Sequence, residues 1–80
     1  MVLVDLKPGQ KGKVLGVAGY GAVRRRLLDL GMRSGETIEM IKSAPLRDPL
    51  EIALNGGHLS IRRSEAALVS IELLMDIKSE

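Results

Sequence analysis

Three groups of residues in this chain are of the types that chemistry uses. Gly16, Gly19 and Gly21 come just before a helical pattern, and a glycine-rich loop opening a helix can cradle phosphate. Their spacing, G-x-x-G-x-G, reverses the dinucleotide fingerprint, and no Lys-Ser/Thr pair follows for a P-loop. A chain of 80 residues also has no room for the βαβ repeats on which such a site sits, so the glycines read as a strand-to-helix connection. His58 is the only histidine and there is no cysteine. A metal site would have to recruit carboxylates such as Glu51 or Asp48 across strands to complete itself. Next to Asn55-Gly56-Gly57, His58 reads as a solvated hairpin residue, and it is the one candidate metal ligand. No serine has a histidine relay and no carboxylate pair is fixed by spacing, so the sequence carries no catalytic constellation and is read as a non-enzyme. The third group is basic: Arg24-Arg25-Arg26 within the helical pattern, and Arg62-Arg63.

Composition narrows what the arginines could meet. Twelve Lys and Arg against ten Asp and Glu leave a formal charge of +2, too mild an excess to argue for nucleic acid. Tyr20 is the only aromatic residue, so no base-stacking surface can be built and no nucleic-acid partner is expected. No run approaches the roughly 20 apolar residues of a spanning helix, and the N-terminus lacks a signal-peptide pattern. The chain is therefore read as a cytoplasmic protein without membrane insertion. A solvated helix face is the plain reading of the arginines. The sharper one is a protein-contact patch, in which Arg24 and Arg25 flank Leu28, with Tyr20 in the neighbouring glycine loop. Leu28 lies away from the Val23–Leu27 face, so it is either covered by a loop or left exposed.

The elements that would position these residues are short. Leu3 and Leu6 anchor the N-terminus before a Pro8-Gly9 turn. Lys11 to Ala18 reads as a first strand, with Val14 and Leu15 on opposite faces and bends or bulges at Gly12 and Gly16. Ala22 to Leu30 reads as the only full helix, with Val23, Leu27 and Leu30 on its inward face and Arg25 spaced to pair with Asp29. Gly31 takes the left-handed cap position, Met32 folds back as its apolar partner, and Gly35 turns the chain into a strand over Thr37 to Ser43. Ala44-Pro45-Leu46-Arg47-Asp48-Pro49 is a loop, because its prolines rule out helix and central strand. Leu50 to Leu54, the Asn55-Gly56 turn and Leu59 to Arg62 form a hairpin. Ser64 is placed to cap one helical turn, and Leu68 to Leu74 is a last strand with Val69, Ile71 and Leu73 on one face. Residues 75–80 read as a frayed tail.

Leu27-Leu28-Asp29-Leu30-Gly31-Met32-Arg33-Ser34-Gly35 resembles the L-x-x-L-G-[ML]-x-x-G signature of the FeoA family, ferrous iron transport protein A. Ala44-Pro45-Leu46-Arg47-Asp48-Pro49 resembles its A-P-L-G-D-P loop, and the resemblance extends over nearly the whole chain. Leu27, Leu30, Gly31, Met32, Gly35, Pro45, Asp48 and Pro49 are the residues that carry it. It implies a single-domain, mainly β fold: a small, partly open SH3-like β-barrel of about five strands, with one short helix after the first strand and a helical turn before the last.

It also implies a small accessory protein of bacterial or archaeal ferrous iron uptake, docking on the cytosolic part of a FeoB-type membrane GTPase. The alternative is a divalent-metal-sensing domain related to the C-terminal domain of DtxR-type repressors, in which His58 and nearby carboxylates hold a metal such as iron. No other cofactor is expected. Exposed strand edges leave homodimer pairing open. Arg47 stands where the family often has Gly. If that position requires a positive φ, Arg47 is strained; otherwise Arg47 adds a positive charge to an exposed loop that can touch a partner.

Overall fold

The computed structural model describes residues 1–44 and 46–75; Pro45 and residues 76–80, including most of the expected tail, lie outside the described residues. The chain is mainly β. A turn of 3-10 helix (Leu3–Asp5) leads into β1 (Lys11–Val17), α1 (Gly21–Asp29), β2 (Thr37–Lys42), β3 (Leu50–Leu54), β4 (Gly57–Ile61), a short α2 (Arg63–Ala66) and β5 (Val69–Met75). The strands make one antiparallel five-stranded sheet of order β4-β3-β2-β1-β5. β4 and β5 are the two ends of that order and are not paired with each other. The barrel is therefore open, and α2 bridges its two edge strands in the chain.

Alternation of apolar residues explains the core. Leu50, Ile52 and Leu54 of β3, Ile38 and Met40 of β2, and Val69 and Ile71 of β5 are all buried. Val14 is buried and Leu15 exposed, as the two faces of β1 require. The register of β1 against β5 shifts next to Gly12 and again before Gly16. A Cβ at Gly12 would lie 2.7 Å from Ile71 Cδ1, so a side chain there would press on the buried Ile71. The N-terminal Leu3 and Leu6 close the core from one side, and the Val2–Ser70 bridge places this segment beside β5.

Helix α1 ends in a double-bonded cap. The Met32 N–H donates to the Leu27 carbonyl at 3.1 Å and the Gly31 N–H to the Leu28 carbonyl at 3.0 Å. That is the Schellman arrangement, with Gly31 at φ 109° and the side chains of Leu27 and Met32 both fully buried.

Several expectations are corrected. Val23 does not share the buried face of Leu27; it is 47 % exposed, while Leu30 is half-buried. Burial on α1 is confined to its C-terminal end: residues 21–26 are all exposed, whereas Leu27 is buried and Leu28 half-buried. Leu28 is half-buried rather than fully covered or fully exposed. Leu73 is 41 % exposed although Val69 and Ile71 on the same face are buried, because its cross-strand partner is Gly12, which offers no side chain to pack on. Arg25 and Asp29 form no ion pair; the one present among the described residues joins Arg26 to Glu65. Helix α2 starts at Arg63 with Arg62 as its cap residue, two residues ahead of the sequence reading, and Ser64 makes no cap. The positive φ in the loop before β3 falls on Leu46, at 62°, and not on Arg47.

Candidate functional site

The β1–α1 junction gathers four of the residues singled out for partner contact. Gly19 at φ 87° and Gly21 at φ 73° flank Tyr20, whose own backbone is extended. Those two left-handed positions turn the chain out of β1 and into α1 within three residues, which leaves the Tyr20 ring 90 % exposed. Beneath it lies a cleft of about 410 Å³ lined by Gly19, Tyr20, Gly21, Arg24, Arg25 and Leu28. Arg24 and Leu28 are one helical turn apart, so they share a face, and Arg25 borders it.

Electrostatics and orientation follow from the same geometry. None of the lining residues is acidic, so the two guanidinium groups face the cleft without a local counter-charge. Arg24 Nε donates to the Val17 carbonyl at 3.2 Å. This contact ties one edge of its guanidinium to the end of β1 and leaves the two terminal nitrogens for a ligand. A planar group presented in this way suits a carboxylate, which accepts two parallel N–H bonds. The half-buried Leu28 supplies an apolar floor and Tyr20 an aromatic wall. A basic cleft with an aromatic and an aliphatic side chain suits a protein segment that is acidic and apolar together.

The other candidates lie elsewhere. Arg47 is exposed in the β2–β3 loop and borders a separate cleft with Lys42, Asp48 and Glu51. Asp48 accepts the Arg63 backbone N–H at 2.7 Å, and the Arg63 guanidinium donates to the Ala44 carbonyl at 3.0 Å, so Arg63 clasps this loop from both sides. The Asp48–Pro49 peptide is cis. His58 is exposed on β4, opposite Ala53, and shares the outer face with Glu51. Among the described residues no three His, Asp or Glu side chains converge to hold a metal ion.

Glu65 is the residue that the sequence reading underestimated. Its side chain is 11 % exposed; Oε2 accepts from Arg26 Nη1, and Oε1 accepts the Arg62 backbone N–H at 2.9 Å. The signal for the second bond is the spacing of a capping box, an acidic residue three after the cap position. The first joins residues 39 apart and leaves no trace in sequence. Glu65→Ala is expected to cost about 1–2 kcal/mol, because it removes the capping-box acceptor of the Arg62 N–H and the ion partner of Arg26. Arg26→Ala is expected to cost at least as much, because it leaves the Glu65 carboxylate, 11 % exposed, without its charge partner. Urea unfolding midpoints of the two variants check that ordering.

Comparisons with known proteins agree on the family of the chain. The family model described as "FeoA domain" matches residues 1–73. A curated Porphyromonas gingivalis protein, an Fe(2+) transport protein A/Fe(2+) transporter FeoB fusion protein, is 36 % identical over 74 residues; the match takes in 92 % of this chain and 9 % of the fusion protein. The chain thus spans under a tenth of that relative's length. The solution structure of FeoA from Chlorobium tepidum superposes with a TM-score of 0.82 at 43 % identity, covering 94 % of this chain and 71 % of that one. The crystal structure of Stenotrophomonas maltophilia FeoA complexed with zinc, described as a prokaryotic SH3 domain protein, gives a TM-score of 0.81 at 29 % identity, covering 90 % of this chain and 89 % of that one. A manganese-dependent transcriptional repressor has the fold as well, at 12 % identity and a TM-score of 0.83 over 92 % of this chain and 41 % of its own; at that identity the likeness is one of fold alone. On the match over residues 1–73 and on these relatives, the chain belongs to the FeoA domain family.

Proposed function

We propose that this chain is a cytoplasmic accessory of ferrous iron uptake that docks on the cytosolic part of a FeoB-type membrane GTPase and modulates it by contact, without catalysis of its own. The observation that carries this reading is the Porphyromonas relative, in which a similar segment is covalently joined to an Fe(2+) transporter. Fusion holds two modules at high effective concentration. Where the two are separate chains, an interface takes the place of that covalent link. The Tyr20 cleft has the exposure, the charge and the aromatic-aliphatic pair for that role. Among the described residues no helix is long and apolar enough to cross a membrane, in keeping with attachment through protein contact.

The experiment is titration calorimetry with the purified cytosolic domain of a FeoB-type transporter. Arg24→Glu combined with Arg25→Glu is expected to lower the affinity by about tenfold or more. Both side chains are exposed, so the melting temperature should hold. Wild-type affinity should also fall as ionic strength rises, since the charges at the cleft are solvent-facing. Leu28→Asp is expected to weaken binding too, with some loss of stability because Leu28 is half-buried. Unchanged affinity in all these variants would remove the helix face from the interface.

A further inference from the structure

Leu46 is a large apolar side chain that is 99 % exposed, and its backbone is left-handed at φ 62°. Next to it the Arg47 N–H donates to the Ala44 carbonyl at 3.1 Å. A positive φ is the backbone conformation that glycine takes most readily. A leucine there bears steric strain, and its exposure recovers nothing by burial. The loop is nonetheless held in place. Arg63, half-buried at the start of α2, binds Asp48 through its backbone and Ala44 through its guanidinium. The fold thus fixes a strained aliphatic knob in solvent, with the exposed Arg47 beside it and Lys42 bordering the same cleft as Arg47.

We propose that Leu46 is the anchor of a second protein contact, entering an apolar socket whose rim carries a carboxylate for Arg47. The proposal rests on the docking reading above, because it assigns both contacts to one partner. β1 and β2 run antiparallel, so the loop that follows β2 lies at the opposite end of the strands from the junction that follows β1. A partner touching both must span the length of these strands, and the remainder of the Porphyromonas fusion, of which the matching segment is 9 %, is large enough to do so. The acidic rim follows from charge: Arg47 is in no ion pair among the described residues, whereas Asp48 is already engaged by Arg63. One leucine beside one arginine offers too little apolar area to hold a lipid surface.

The test uses Leu46→Gly and Leu46→Asn, both compatible with positive φ, and Arg47→Glu, each titrated into the transporter's cytosolic domain. Leu46→Gly and Leu46→Asn should melt within about 3 °C of the wild type or above it, yet bind about tenfold more weakly or worse. Arg47→Glu should weaken binding and reduce its salt dependence. Wild-type affinity in both Leu46 variants would overturn the proposal while leaving the Tyr20 cleft in place. A large fall in melting temperature for Leu46→Gly would overturn it as well, since it would make Leu46 structural. A change in sedimentation of the chain alone would assign the knob to a second copy instead. Absence of any wild-type binding would remove the docking reading and this contact together.

Discussion

Leu27→Ala is expected to cost about 2–4 kcal/mol and to release α1 from the sheet. Leu27 is the only fully buried residue of a nine-residue helix. A helix of that length has almost no stability of its own in water, so its attachment depends on the few groups that hold it to the sheet. These are Leu27, the capping partner Met32 and the Arg26–Glu65 pair. An 80-residue domain has a total stability of roughly 4–12 kcal/mol, so a loss of this size lowers the melting temperature by about 10–25 °C. Val23→Ala on the same helix is the control. Val23 is 47 % exposed, and its truncation should change stability by no more than about 0.5 kcal/mol. Thermal and urea melts of the pair measure the difference. Equal losses would mean that the first turn of α1 packs on the sheet after all.

Gly31→Ala is expected to cost about 2–3 kcal/mol, for two separable reasons. At φ 109° an L-residue suffers the clash that glycine avoids, about 1–2 kcal/mol. The added Cβ would also lie 3.1 Å from Leu54 Cδ2 and 3.4 Å from Asn55 Nδ2. Leu54 is 5 % exposed at the end of β3, so it has little room to move aside. Gly35→Ala isolates the first term, because Gly35 has φ 97° with no atom within 4 Å of its would-be Cβ. Gly31→Ala should therefore exceed Gly35→Ala by about 1 kcal/mol, a difference visible as separate urea midpoints. If the two variants unfold together, the contact with Leu54 contributes nothing.

Much of the fold was legible because its signals are local. Alternation in Leu50-Glu51-Ile52-Ala53-Leu54 determines which face of β3 is buried, and the structure buries Leu50, Ile52 and Leu54. Asn55-Gly56 turns with φ of 53° and 80°, the conformation these residue types favour between two strands. The bulges next to Gly12 and Gly16 fall where glycine interrupts the strand. Gly31 and Met32 read as a helix stop, and the cap bonds reach no farther than five residues back. Each of these signals lies within a few residues of the structure it dictates.

What the sequence could not determine lies in distances across the chain. Helical periodicity assigns Val23 and Leu27 to one face, but only the position of α1 relative to the end of β1 decides that Leu27 is buried and Val23 is not. Periodicity likewise offers Asp29 to Arg25, whereas the docking of α1 near α2 gives Glu65 to Arg26 instead. The resemblance leaves open a positive φ at Arg47; the backbone has it at Leu46 instead, beside the Arg47–Ala44 hydrogen bond. Tyr20, Arg24, Arg25 and Leu28 were each visible as residues able to touch a partner. Their meeting in one cleft depends on the turn between β1 and α1 and on the Arg24 contact with Val17. Local sequence thus determined the strands, turns and cap of this protein. The tertiary structure decided which charges pair and which apolar side chains remain in water, because those outcomes depend on contacts between residues far apart in the chain.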